Sequence, residues 1–183
     1  MAKVKEPRIA WALTGSGHYL KESLDIVLAL PNVDLFLTRA AAEVLKMYGY
    51  DLAKLRQGMK VFRDSTASSV PVTFLYEGNY HSIVIAPATS NTVAKCVGGI
   101  SDTLATNIYA QAGKCRIPSI VFACDTAPEL ISEAPGGDVW VYPRPIDLEN
   151  VGKLAKFDYT TVVLSIEELQ TALDKRLAEL AHE

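Results

Sequence analysis

Between Ser82 and Asn107 the chain carries the stretch that most restricts its fold. Ile83 to Ala86 is apolar at every position, Pro87 follows, and the hydroxyl- and amide-bearing run Ala88 to Thr92 comes next. A strand that is apolar at every position, rather than at alternate ones, must be covered on both faces, and such strands belong to parallel sheets sheathed by helices. Proline has no N–H to give to a ladder, so the strand is expected to end at Pro87. Ala88 to Thr92 then reads as a short polar loop. It feeds a helix that stops at Gly98-Gly99, where glycine relieves the left-handed C-cap, and a second helix is expected from Ser101. In an open α/β sheet, ligands bind outside the carboxyl ends of the strands, where helix N-termini present unpaired N–H groups. This loop is therefore the first candidate for a site.

The rest of the chain repeats the alternation of strand and helix. Arg8 to Leu13 is an expected first strand, and Thr14-Gly15-Ser16-Gly17-His18 a tight loop. The helix expected from Tyr19 to Leu30 has Leu20, Leu24, Val27 and Leu28 at helical spacing. Gly15 and Gly17 let the backbone approach a ligand, but Leu20 occupies the place of the third glycine of a dinucleotide fingerprint. Val33 to Leu37 reads as a second strand, and Thr38-Arg39 opens an alanine-rich helix, Ala40 to Tyr48, closed by Gly49. A hydroxyl and a guanidinium at a helix N-terminus suit a phosphate, although Arg39 serves equally well as a solvated surface charge.

Residues 51–69 read as less regular, with 64–69 loop-like, and 70–80 show no clear period. His81 reads as an ordinary residue placed just before the central strand. Ile117 to Ala123 is the next buried strand, and its exit, Cys124 to Pro128, should lie beside the Thr89 loop. Residues 133–137 form a turn, Asp138 to Tyr142 a short strand, Pro143 to Pro145 a rigid connection and Thr161 to Leu164 a last strand. Ser165 and Glu168 make a capping box for a final helix carrying Leu169, Leu173, Leu177 and Leu180. The expected fold is a single doubly wound α/β domain, Rossmann-like or flavodoxin-like, with a mostly parallel sheet. A length of 183 residues suits one domain.

Composition removes several classes of function. With 49% hydrophobic and 21% charged residues, neither disorder nor a long coiled coil is expected. A formal charge of -3 without a basic stripe argues against a nucleic-acid partner. No apolar run approaches the roughly 20 residues of a membrane span, so a cytoplasmic protein without a membrane partner is expected. Cys96, Cys115 and Cys124 are odd in number and form no CxxC pair, which disfavours a disulfide framework and a metal site.

Pro87-Ala88-Thr89-Ser90-Asn91-Thr92, followed by Ala94-Lys95, by Gly99 to Leu104 and by Asn107, resembles the Pro-Ala-Ser-Ala-Asn-Thr signature of the homo-oligomeric flavin-containing Cys decarboxylase superfamily. The resemblance implies FMN as cofactor and a homo-oligomer, a trimer or a dodecamer, with flavin sites between subunits. It implies that Gly15, Ser16, Gly17 and Thr38 hold the phosphate and ribityl end, with Arg39 beside them as a further cofactor-binding candidate. Ala88, Thr89, Ser90, Asn91, Thr92, Asn107, Ala123 and Cys124 supply the remaining flavin contacts or their frame. Thr89 stands where Ser is usual and Ser90 where Ala is usual.

Two hallmarks of the decarboxylases are missing. A residue such as Thr73 stands where they place a catalytic His, and Cys124-Asp125 replaces the Met-Asn of their substrate motif. The opening Ile9 to His18, taken with Cys124-Asp125, instead looks like the archaeoflavoprotein and dihydromethanopterin reductase (acceptor) group. That resemblance implies electrons passing from a reduced carrier such as ferredoxin, through FMN, to the C=N bond of a dihydropterin. Asp125 is then the expected catalytic and substrate-binding residue, because a carboxylate pairs with the N–H groups of a pterin, and His18 is a second substrate-binding candidate. A loop or N-cap aspartate and a helix-capping histidine are the structural alternatives. An electron-carrier flavoprotein, and more distantly a flavin-dependent cysteine decarboxylase, are the functional ones.

Overall fold

Strands that are apolar at every position find a helical layer on each side in the computed structural model, which describes residues 7–55, 59–64 and 70–181. The strands are β1 Arg8–Leu13, β2 Val33–Leu37, β3 Val61–Arg63, β4 Tyr80–Ala88, β5 Ser119–Ala123, β6 Leu130–Ser132, β7 Val139–Val141 and β8 Thr160–Val163. The helices are α1 Leu20–Ala29, α2 Arg39–Met47, α3 Leu52–Leu55, α4 Val70–Tyr76, α5 Ser90–Val97, α6 Leu104–Lys114, α7 Pro145–Leu154 and α8 Ile166–Leu180. Six strands form a parallel sheet in the order β3-β2-β1-β4-β5-β8, and β6 pairs with β7 in an antiparallel ribbon apart from it.

Successive strand residues face opposite layers, as the pleat requires. Ile9, Trp11 and Leu13 of β1, with Val84 and Ala86 of β4 and Phe122 of β5, pack against Leu20 and Leu24 of α1, Leu45 of α2 and Leu169 and Leu173 of α8. Ala10 and Ala12, with Ile83, Ile85 and Val121, pack on the other side against Leu75, Val93, Leu104 and Ile108. The sheet grows outward through β2 and β3 from β1, and through β5 and β8 from β4. Neighbours β1 and β4 therefore send their following segments in opposite directions, and a crevice opens at their carboxyl ends. The fold is the expected doubly wound α/β class.

Several boundaries differ from the sequence reading. β4 does not stop at Pro87 but continues to Ala88, because the ladder to β5 advances three residues on β4, Ile85 to Ala88, for two on β5, Val121 to Ala123. This bulge absorbs the missing proline N–H. Side chains of β1 and its exit take the carbonyls there: the Trp11 Nε1–H donates to the Ala86 oxygen at 2.8 Å, and the Thr14 hydroxyl donates to the Pro87 oxygen at 2.7 Å. No loop from Ala88 to Thr92 remains, since Thr89 alone separates β4 from α5. Helix α5 ends as expected: Gly99 has φ +70°, Ile100 N–H donates to the Lys95 oxygen at 2.8 Å, and Gly99 N–H to the Cys96 oxygen at 3.3 Å. Helix α6 begins at Leu104 rather than Ser101, because Thr103 and Thr106 form the capping box.

Three helices, α3, α4 and α7, and two short strands, β3 and β6, lie where no regular element was expected. Edge strand β3 and the single turn α3 fall within 51–69, of which 56–58 and 65–69 lie outside the described residues. Helix α4 carries Val, Pro, Thr, Phe and Tyr, residues that favour strands or break helices, so packing of Val72 and Leu75 rather than propensity sustains it. His81 is the second residue of β4, not a residue before it. The Pro143–Pro145 connection ends inside α7, where Pro145 takes the first helical position and the Asp147 carboxylate accepts the Arg144 N–H at 2.9 Å. At α8 the Ser165 hydroxyl accepts the Glu168 N–H at 3.2 Å, but the Glu168 carboxylate reaches back to Leu164 N–H at 2.8 Å, so the expected box is only half formed. Among the described residues, no helix is long and apolar enough to cross a membrane.

Candidate flavin-binding cleft

Thr14 leaves β1 with only 1% of its surface exposed, and its hydroxyl joins the two strands that flank the crevice. It donates to the Pro87 oxygen and accepts the Thr89 N–H at 3.1 Å. The exits of β1 and β4 are thereby held together through one side-chain oxygen. Beside that joint lies a cleft of about 450 Å³, lined by Thr14 and Gly15 after β1, Thr38, Arg39 and Ala40 after β2, and Thr89, Asn91 and Thr92 after β4. Thr103 at the start of α6, and the carboxyl-bearing Glu43 and Asp64, complete it.

Three helix N-termini thus face one space, each capped by a threonine on the cleft wall. The Thr38 hydroxyl accepts the Ala41 N–H at 3.1 Å, that of Thr89 the Thr92 N–H at 3.3 Å, and that of Thr103 the Thr106 N–H at 3.2 Å. A hydroxyl that accepts from its own helix keeps its proton for another acceptor. Thr89 and Thr103 lie within 3.1 Å and 2.9 Å of the Thr92 and Thr106 hydroxyls, whereas no second hydroxyl engages that of Thr38 among the described residues. Partial positive charge at such N-termini, with the exposed guanidinium of Arg39, suits an anion. Gly15 permits the approach: a Cβ there would stand 2.6 Å from the Ala40 Cβ, which is closer than two carbons pack. A Cβ at Gly17 would collide with the hydroxyl end of the Tyr48 side chain.

The expected neighbourhood of the β4 and β5 exits is also present. Cys124 N–H donates to the Ala88 oxygen at 3.1 Å, and the Ser90 hydroxyl donates to the Asp125 carboxylate. Asp125 is accordingly a loop residue bound to the first residue of α5, and it caps no helix. Cys124 is buried, and burial pushes its thiol up to about 12, so it is a neutral thiol rather than a nucleophilic thiolate at neutral pH. Cys96 is buried in the same way, while Cys115 is only half-buried.

His18 does not cap α1. The cap residue is Tyr19, in the left-handed conformation at φ 59° and without a side-chain hydrogen bond. The imidazole lies against the Tyr19 ring, with centroids 3.8 Å apart, and its buried Nδ1 has no hydrogen-bond partner among the described residues. Burial holds the His18 pKa below its ordinary value, against the opposing charges of Glu133, Asp125 and Glu22. Buried polar atoms are nearly always paired, so this nitrogen, like Glu22 Oε2 and Ser23 Oγ, is an exception among the described residues.

Of the residues anticipated from sequence, Gly15, Thr38, Arg39, Thr89, Asn91 and Thr92 line the cleft. Ser16 donates its hydroxyl to the His18 oxygen at 3.1 Å, and the Cys124 Sγ lies 4.0 Å from the same oxygen, so the Gly15–His18 loop folds toward Cys124. Ala88 and Ala123 are buried register partners at the ends of β4 and β5 and offer the site only backbone and a small wall. Asn107 is half-buried in the first turn of α6, its N–H given to the Thr103 oxygen at 2.8 Å, and it does not line the cleft. Thr14, Thr103, Glu43 and Asp64 were not anticipated. Thr103 had a signal in its spacing from Thr106, whereas the others are brought in by the fold. Among the described residues, no cluster of three or more His, Cys, Asp or Glu side chains is arranged to hold a metal ion.

Comparison with known proteins agrees with this geometry. The family model described as Flavoprotein matches residues 2–182. The dihydromethanopterin reductase (acceptor) of Methanosarcina mazei is 40% identical over 141 residues, covering 70% of this chain and 59% of that protein. The chain therefore spans about three fifths of the length of that curated relative. An uncharacterized protein of Methanocaldococcus jannaschii is 33% identical, with 93% of this chain and 96% of that one covered. The crystal structure of Burkholderia xenovorans DmrB in complex with FMN, described as a cubic protein cage for redox transfer, superposes with a TM-score of 0.90 at 56% identity, over 98% of this chain and 99% of that one.

Proposed function

The chain belongs to the Flavoprotein family, and on that premise we propose that it is an FMN-dependent reductase that converts a dihydropterin to its tetrahydro form with electrons from a reduced carrier. The observation that carries the flavin part is the convergence of the Thr38, Thr89 and Thr103 caps, with Arg39, on one cleft at the switch point of the sheet. The pterin part is supported by the 40% identity to the dihydromethanopterin reductase (acceptor) of Methanosarcina mazei, and FMN by the 56% identity to the DmrB that binds it.

Gly15, Thr38, Arg39 and Thr89 are the residues to hold the phosphate, because donors and close backbone approach coincide there. Ser16, Gly17, Ala88, Ser90, Asn91, Thr92, Ala123 and Cys124 border the space for the ring and ribityl chain, and Asn107 braces the start of α6. Bound FMN supplies two-electron redox chemistry, and the protein's part is position and electrostatics. Asp125, oriented by the Ser90 hydroxyl, accepts N–H groups along the polar edge of the pterin. His18 offers its unpaired nitrogen to the same ligand. Cys124 fills the wall without reacting. The electron source is a reduced carrier of the ferredoxin kind, the compartment is the cytoplasm, and the protein acts as a homo-oligomer, as DmrB forms a cage.

The test is anaerobic. The protein-bound flavin is reduced chemically, dihydromethanopterin is added, and flavin absorbance is followed. Stoichiometric reoxidation with formation of the tetrahydropterin is expected, slowed about tenfold to a hundredfold in Asp125→Asn with FMN still bound, because one charge-assisted hydrogen bond is lost. A flavin that stays reduced contradicts the pterin assignment and favours an electron carrier with protein partners only.

A further inference from the structure

Ser90 and Asp125 are two positions at which the sequence departs from the decarboxylase pattern, and the fold brings them together across 35 residues. Ser90 opens α5, and Asp125 leaves β5 one residue after Cys124, whose N–H is tied to the Ala88 oxygen at 3.1 Å. The Ser90 hydroxyl donates to Oδ2 of Asp125, and no Lys or Arg forms an ion pair with that carboxylate among the described residues. Both side chains are half-buried rather than enclosed. Thr89 and Asn91, the sequence neighbours of Ser90, line the flavin cleft, so the carboxylate is held at the start of α5 beside that cleft.

An ionised carboxylate only accepts hydrogen bonds, and its two oxygens best match two N–H groups that point the same way. The polar edge of a flavin ring offers no such pair, because its single ring N–H lies between two carbonyl oxygens. A pterin offers one, because its ring N–H stands next to an amino group. Asp125 is therefore suited to the second heterocycle rather than to the cofactor. The Asn of the decarboxylase motif, with one donor and one acceptor, matches a different edge.

We infer that the Ser90–Asp125 pair makes the site selective for a 2-amino pteridine over the 2-oxo pteridine of the same shape. This selectivity rests on the pterin reading above. In the 2-oxo compound a carbonyl oxygen takes the place of the amino group and meets a carboxylate oxygen, so one hydrogen bond becomes a repulsion. Asp125 reads the edge of the ring. Ser90 is a positioning residue: its proton holds Oδ2, which fixes the plane of the carboxylate and leaves Oδ1 and the second lone pair of Oδ2 to the ligand.

The experiment loads the full-length protein with oxidised FMN, so that no turnover follows, and measures the binding of 6-methylpterin and of its 2-oxo counterpart, 6-methyllumazine, by calorimetry. The wild-type protein is expected to bind the pterin about thirtyfold more tightly. Asp125→Asn sets a donor and an acceptor against the ring edge and should bring the two affinities to within about threefold. Ser90→Ala should narrow the ratio by about threefold to tenfold, and Ser90→Thr should restore it, with the flavin spectrum unchanged. A merely structural role for Ser90 would weaken both ligands alike, and a ratio unchanged in Ser90→Ala overturns its positioning role. Equal affinity of the wild-type protein for the two pteridines, or a ratio that survives Asp125→Asn, overturns the selectivity while leaving the pterin reading intact. A protein that holds FMN and binds neither pteridine overturns the pterin reading and the selectivity with it.

Discussion

Replacing Thr14 with valine removes one hydroxyl from the joint between β1 and β4 while keeping the shape of the side chain. That hydroxyl donates to the Pro87 oxygen at 2.7 Å and accepts the Thr89 N–H at 3.1 Å, at a residue only 1% exposed. Valine leaves a carbonyl and an N–H without partners and gives water no route to the carbonyl. Each buried group stranded in this way costs about 1–3 kcal/mol, and Thr89 is nearer the surface, so the sum is about 3 kcal/mol. In a chain of this size, that corresponds to a fall in Tm of roughly 6–12 °C. The assay is thermal unfolding of flavin-free protein at one fixed protein concentration, because ligand and assembly both shift Tm. Thr14→Ser restores the oxygen and should recover most of the loss. If Thr14→Val melts within about 1 °C of the wild-type protein, the hydroxyl does not hold the strand exits together and the account of the joint is wrong.

Gly15→Ala should disturb the cleft more than the fold, because its Cβ meets the Ala40 Cβ at 2.6 Å and forces the start of α2 away; overpacking of this kind costs about 1–3 kcal/mol, and calorimetry should show weaker flavin binding. Acid should weaken the protein through His81. Its pKa, lowered from 6.5 to about 4 by burial and then by Arg176, means that the unfolded chain binds more protons between those values, so stability falls as pH drops from about 6.5 to 4. Denaturant titrations of His81→Gln across that window should show a shallower fall, and identical slopes would remove His81 from the cause.

Much of the fold could be read from sequence because its strongest signal is local. Ile83 to Ala86, Val33 to Leu37 and the apolar part of 117–123 are continuous runs, and a continuous run between glycine, proline and polar residues has few other solutions. Helix α4 was missed because Val70, Pro71, Val72 and Thr73 carry a strand's composition, and only contact with the sheet makes that segment helical. Helix α7 had a proper start signal, Pro145 with Asp147, hidden behind the rigid look of Pro143-Arg144-Pro145. Pro87 misled because a missing N–H can be absorbed by a bulge as well as by the end of a strand. The threonines and glycines of the cleft were legible as caps and close approaches. Asp64 and Glu43 were not, since no spacing in the chain announces that the end of an edge strand and the second turn of α2 face the same space.

Equilibrium titration of the flavin-free protein with FMN and with riboflavin tests most directly whether the capped cleft is a phosphate site. The two ligands share the ring and ribityl chain and differ only in the phosphate. Charge-assisted donors and helix N-termini of this kind contribute about 3 kcal/mol, so FMN should bind roughly a hundredfold more tightly, and Thr38→Val together with Arg39→Ala should remove most of the difference. Equal affinity for FMN and riboflavin would mean that no phosphate is held where Thr38, Thr89 and Arg39 converge.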